Sequence, residues 1–575
     1  MRLIALLAVA VLAAGCSLMP GGLAGGLTGG PVGGGGPSVT ALAGPQAAGP
    51  GEAPRLGLAR VAFERLGDLP RNSAVSDDML QAVAAPWLGQ DVTLEDLRRL
   101  ATGMEATFRS AGYPYVRVVL PPQQVEDGTV MFQVIEGRID GIVVLGKSPA
   151  AKRQAEAQLA PLDGLGPVPV ARVEGAIAAL SDVPGLDARV SIARGSEGAG
   201  TMRIIAEAER KPPRFLVNFQ NWGSESLGRE GATLLARVPG IATYGDQFEA
   251  SFFTTREWEE QFVGQLAYER TLTARGLKLR AEATYGEAEP GGAVATLGAS
   301  AKSLTASFEV RHPVHRDRTS RLDVGAGFNY ADLKGELFQQ TVLLSDDKVR
   351  TAYAFLEAET ALWGFTGDIH LEARKGVDVL SASRRGDANL ARKEADPDAA
   401  SLRGEARITT PSVAGFRLDL RAMGQYANRP LMAVEEFSFG NYTILRGYDP
   451  GAATGDTAMA VSAELAGLGY RPFGGRSYTE WFGFFEAGEY WNRDINAVAN
   501  RTLTSFGGGM RTTFDDYLRV EIAYAAPLRA PLGQGEGVPD QRVMFSVTAN
   551  LGHLAGKAAA GLDTAFAGLR AGASP

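Results

Sequence analysis

The chain has 575 residues, 45% of them hydrophobic and 21% charged, with a formal net charge of −8. That length exceeds one ordinary hydrophobic core and predicts several domains. The acidic balance excludes a nucleic-acid binder, which needs a basic field to neutralise phosphates. The single cysteine excludes an intramolecular disulfide or a thiolate metal site.

Residues 1–15, MRLIALLAVAVLAAG, pair Arg2 with an apolar run too short to span a membrane, and read as a secretory signal peptide. Cys16 follows small residues in the manner of a bacterial lipoprotein cleavage box, which makes it a candidate lipidation site. The alternative is a plain signal peptide with a chance cysteine. Residues 16–55 are rich in Gly, Pro and Ala, lack periodicity and read as a flexible linker.

Two small α/β units follow, at 56–138 and 139–212, each with the order β-α-α-β-β. In the first, VAFERL reads as a strand and SDDMLQAVAAPWLG as a helix. A second helix opens on the T-x-x-D cap of Thr93 and Asp96, carries Leu94, Leu97, Leu100, Met104 and Phe108 on one face, and ends at Gly112. YVRVVL and TVMFQVIEGRI then read as strands. The second unit repeats the order more weakly, from IDGIVVLG to TMRIIAEAE. Such units expose sheet edges that can pair with an extended peptide.

From 213 to 551 helical periodicity gives way to alternation of period two. In RLDVGAGFNY, Leu322, Val324, Ala326, Phe328 and Tyr330 face one way, and Arg321, Asp323, Gly325, Gly327 and Asn329 the other. FRLDLRAMGQYA sets Phe416, Leu418, Leu420 and Ala422 against Arg417, Asp419 and Arg421. Mean hydropathy near zero fits this pattern, because lipid-facing and lumen-facing residues cancel. With no apolar run long enough for a spanning helix, only a closed barrel of about 16 strands carries this stretch through a membrane. Residues 552–575 form a tail past the last strand.

Barrel strands alternate direction, so counting back from VMFSVTANL makes residues 427–456 an outer loop. It carries Phe437, Phe439, Tyr442, Ile444, Leu445 and Tyr448 around one central arginine, Arg446, which predicts a loop tucked inside the lumen. A buried arginine needs a carboxylate, and Glu486 in FFEAG faces inward by alternation, so we expect an Arg446–Glu486 pair. A solvated Arg446 is the alternative. No nucleophile elbow, phosphate loop or metal-ligand cluster is present; His312 and His315 lack a third ligand. No enzymatic activity, metal or cofactor is expected.

Several motifs recur together: GYPYVRVVLPPQ, VIEGRI and GIVVLG near the front, KGVDVL, then EEFSFGNYTILRGYDPG with Arg446, Gly447 and Tyr448, then FFEAG and SFGGGMR. In this order they resemble the outer-membrane transporters of two-partner secretion, the haemolysin secretion/activation proteins, from about residue 56 to 551. The resemblance implies two periplasmic polypeptide-transport-associated (POTRA) domains, an outer-membrane barrel in contact with lipid, and a loop folded into the lumen with its arginine on the strand acid. It implies a monomer that secretes a large partner exoprotein of adhesin or cytolysin type, delivered unfolded; whether it also activates that partner stays open. Glu486 stands where the family has Asp, and Asn441 where a second Gly follows Gly440. No plug helix is evident in 17–55. An outer-membrane protein insertase of the same superfamily is the alternative, and a diffusion porin a third reading.

Overall fold

The computed structural model describes residues 54–552 apart from 67–73, 199, 243–244, 318, 441, 495–500, 516 and 532–536. The signal peptide read at 1–15, Cys16, the linker through residue 53 and the tail past Gly552 lie outside the described residues.

The first unit is a three-stranded sheet carrying two helices. Strand Arg60–Leu66 runs parallel to Thr129–Ile135, which pairs antiparallel with Arg117–Val119. Helix Leu94–Ser110 begins with a reciprocal capping box: the Asp96 N–H donates to Thr93 Oγ at 3.2 Å, and the Thr93 N–H to Asp96 Oδ2 at 2.9 Å. Leu97, Leu100, Met104 and Phe108 enter the core with Trp87, Val130 and Phe132. Leu94, assigned by spacing to the same face, is 51% exposed. At the first helical position its side chain leans back toward the N-terminus, away from the packed turns. Leu100 is fully buried, so Leu100→Ala is expected to cost this unit about 2–5 kcal/mol. Hydrogen exchange should show faster opening across helix Leu94–Ser110 while the barrel strands stay protected.

The second unit repeats the plan. Strand Arg138–Leu145 lies parallel to Thr201–Arg210, whose other side takes Leu186–Arg194 antiparallel. Helices Pro149–Leu159 and Val170–Ser181 pack on this sheet through Ala155, Leu159, Val173 and Leu180. The unit is fastened to one end of the barrel. Asp182 Oδ2 lies 2.5 Å from Arg316 Nη2 and 3.3 Å from Arg321 Nη1, and Gln158 donates to the Ala274 carbonyl at 2.8 Å.

Sixteen antiparallel strands in sequence order then close into a barrel. The first, Arg214–Gln220, pairs with the last, Arg542–Asn550, from Ser546↔Gln220 to Asn550↔Leu216. The alternation sorts side chains between two solvents. Leu266, Phe308, Val324, Leu402, Val461 and Phe485 are exposed on the outer wall, where lipid replaces water. Arg417 turns inward to Glu480 at 2.9 Å and Arg421 to Glu405 at 2.5 Å, while Phe416 and Leu420 are exposed outside. Closure satisfies the wall's backbone N–H and C=O groups between strands, as a lipid environment demands. The barrel rim is uneven: strands Ser320–Leu337 and Val342–Leu362 run to 18 and 21 residues.

Candidate functional site

Strand Arg417–Ala427 ends on the rim opposite the attached second unit, and the chain returns to the wall only at Thr457. Between them the loop turns into the barrel. Its stem is a short antiparallel pair, Phe437–Phe439 with Ala453–Gly455. Gly440 bends the stem at φ +81°, where a Cβ would come within 2.0 Å of the Asp449 carbonyl. Leu445 holds φ +57°, a left-handed conformation a leucine keeps only when its surroundings fix it. Those surroundings are apolar: Phe439, Ile444, Leu445 and Tyr448 are fully buried against Tyr490 and Leu503 of the wall.

Arg446 follows Leu445 directly and is 6% exposed, and Glu486 is 0% exposed. Arg446 Nε lies 2.7 Å from Glu486 Oε1, and the Arg446 backbone N–H donates to Glu486 Oε2 at 2.7 Å. The guanidinium also reaches Glu464 Oε2 at 2.7 Å through Nη1. Ser505 and Ser462 donate to the Glu486 carboxylate at 2.9 and 3.3 Å. Beneath the guanidinium, Cζ stands 3.5 Å from the centroid of Phe484, a desolvated cation–π contact. Charge burial here is compensated on every side, the condition under which such a pair is tolerated.

The inward-facing positions of the two short motifs each have a steric or electrostatic task. At Gly447 a Cβ would press on Pro527 N at 2.8 Å and Ser505 Cβ at 2.9 Å, so the loop backbone rests on the wall. The Tyr448 hydroxyl sits 2.9 Å from the carbonyls of Thr504 and Arg529. In FFEAG, Phe484 is the floor, Glu486 the acceptor, and Gly488 leaves the room that the Phe439 ring fills. On the next strand Gly507 and Gly509 stand opposite Phe484 and Phe482, where a side chain would strike those rings.

The sequence reading missed the larger network. Glu464 also takes Arg511 at 2.5 Å, and Arg511 stacks 4.2 Å over Phe482. A signal for Glu464 existed, since Ala458, Ala460, Ser462 and Glu464 occupy one parity of TAMAVSAEL and all are buried. Near the outer rim, Arg392 from the loop after Gly376 binds Asp456 at 2.6 and 2.7 Å and Glu436 at 2.7 Å. Asp456 also accepts the backbone N–H groups of Leu431 and Arg493, each at 2.7 Å. Toward the closing strands, Asp449 meets Arg229 at 2.8 Å, Arg542 donates to the Tyr448 carbonyl at 2.7 Å, and Trp222 stacks on Tyr442 at 4.0 Å. Asp456→Ala therefore takes the bidentate partner from Arg392, which keeps Glu436 and Asp494, and leaves the Leu431 and Arg493 N–H groups without their acceptor, at about 1–3 kcal/mol. It should raise single-channel conductance and expose the 377–399 loop to protease, with the barrel still heat-modifiable on gels.

A cavity of about 1950 Å³ remains beside the loop, lined by Asn218, Glu282, Asn329, Glu357, His370 and Arg407 among others. Asp182 of the second unit also borders it. His315 faces Asp317 and Ser320 at 3.0 and 3.1 Å in a turn. Among the described residues no cluster could hold a metal ion.

A lipid-facing barrel with a charged lumen, an inward-folded loop and two α/β units at one mouth defines an outer-membrane transport pore. The chain belongs to the family of the haemolysin secretion/activation protein ShlB/FhaC/HecB, whose model matches residues 200–512, and a ShlB-type POTRA domain matches 66–137. It is thus an outer-membrane secretion pore of the two-partner type, with its POTRA region in the periplasm. The heme/hemopexin transporter protein HuxB of Haemophilus influenzae is 21% identical over 470 residues, 80% of this chain and 82% of that protein. CdiB from Escherichia coli shares the fold at TM-score 0.70 and 16% identity, covering 88% of this chain and 92% of that one. CdiB from Acinetobacter baumannii does so at TM-score 0.63 and 16% identity, covering 87% and 90%.

Proposed function

We propose that this protein, as a monomer and without any catalytic step, exports one large partner exoprotein of adhesin or cytolysin type. The POTRA sheets engage the unfolded partner in the periplasm, and the extended chain then passes through the lumen. The observation that carries this reading is the Arg446 loop, locked by Glu486 and Glu464 inside an otherwise polar channel. A passive porin would leave the two α/β units at the barrel mouth without a task.

In the second POTRA unit, strand Leu186–Arg194 is a sheet edge. It starts beside Gly185, which abuts Pro239 at the barrel mouth, so a peptide added to that edge would lie next to the pore entrance. Folding of the exported domain outside, worth about 5–15 kcal/mol, makes the passage one-way without a nucleotide. The test compares the culture medium of a deletion strain with that of its parent by mass spectrometry. Loss of one large polypeptide, restored by the gene in trans, is expected; an unchanged medium refutes the reading.

A further inference from the structure

The pocket around Arg446 has the make-up of a guanidinium receptor. Glu464 and Glu486 meet different nitrogens of the fork at 2.7 Å each, and Phe484 lies flat beneath it with Cζ 3.5 Å from the ring centroid. Ser462 and Ser505 hold the Glu486 carboxylate from behind. All five of these groups sit on barrel strands. Only the occupant comes from the loop. The receptor is therefore part of the rigid wall, and its ligand is delivered by the loop that folds into the lumen.

When the loop yields, this wall is left with buried carboxylates. Arg511 retains Glu464, but among the described residues Arg446 is the only cation within ion-pair distance of Glu486. An uncompensated buried carboxylate is strongly unfavourable, so the loop leaves most readily when another cation takes its place. We propose that the pocket is an arginine-binding site, and that arginine side chains of the transiting polypeptide occupy it as the loop gives way. The inference rests on the secretion reading above, because it needs a chain in the lumen. A planar fork that divides its N–H groups between two acceptors and lays a face on an aromatic ring favours arginine over lysine. The loop's own arginine is then a resident ligand, displaced by cargo of the same chemistry.

The full-length Arg446→Ala protein in detergent, checked for heat-modifiable migration, is titrated calorimetrically with N-ethylguanidinium and with the neutral N-ethylurea. Saturable binding of the cation is expected, at least about tenfold tighter than the urea. That preference should vanish when Glu486→Gln is added and be absent in the wild type, whose pocket is filled. Equal binding of both probes by the folded variant overturns the proposal. If Arg446→Ala does not assemble, wild-type channels in planar bilayers receive Gly-Arg-Gly-amide or its citrulline counterpart. More frequent high-conductance openings with the arginine peptide alone support the site, and equal responses overturn it. Export by the parent strain is scored separately. Export without guanidinium preference removes the pocket's role alone, whereas binding without any exported protein removes the secretion reading.

Discussion

Arg446→Ala cells will insert a closed, heat-modifiable barrel in normal amounts, yet release of the exported protein into the medium will fall about tenfold or more. The two halves of that expectation rest on different parts of the structure. Strand pairing around the barrel does not involve Arg446, and the loop keeps its apolar cluster of Phe439, Ile444, Leu445 and Tyr448. What disappears is a cation serving two buried carboxylates, a loss of about 3–5 kcal/mol in loop docking. Every 1.4 kcal/mol is about a tenfold change in the docked population. Immunoblots of medium against cell fractions measure the outcome. Wild-type release would take the loop out of the mechanism.

Glu486→Gln should reproduce much of this defect while changing only one atom. The carboxylate accepts four hydrogen bonds, from Arg446 Nε, the Arg446 backbone, Ser462 and Ser505. An amide has one oxygen. Whichever way it is turned, its NH2 faces one of the two Arg446 donors, and neither of those can accept. A buried donor left unpaired costs about 1–3 kcal/mol, more when it is charged. Release should drop severalfold, and Ser505→Ala, which removes a single supporting hydroxyl, should have a much smaller effect. Equal release from Glu486→Gln and wild type would break the assigned role of the pair.

The barrel was legible because period two is a strong signal wherever lipid and water lie on opposite faces of a strand. Arg417, Asp419 and Arg421 could face only inward, which fixes Phe416 and Leu420 outside. The same parity made Glu486 readable as an inward carboxylate, and the aromatic content of residues 437–448 marked an unusual loop. Glu464 carried an equal signal in TAMAVSAEL, but alternation tells which acids face inward and not which of them lie within reach of Arg446. Arg392 carried none. Its loop also offers Arg384, Arg385 and Lys393, and only the tertiary fold selects which cation reaches Asp456. Leu94 shows the opposite error: helical spacing gives the face of a residue but not whether a neighbour lies there.

The uneven rim has a consequence for what happens at the cell surface. Strands of 18 and 21 residues rise about 3.4 Å per residue and so reach roughly 60–70 Å. A lipid-facing band is only about 25 Å tall, crossed at a tilt of about 35–45°. The hairpin joined at residues 338–341 must therefore stand well clear of the bilayer, as a stiff fin on one flank of the exit. A polypeptide leaving the pore is screened on that flank, so its first folding contacts outside the cell begin beside a fixed β surface.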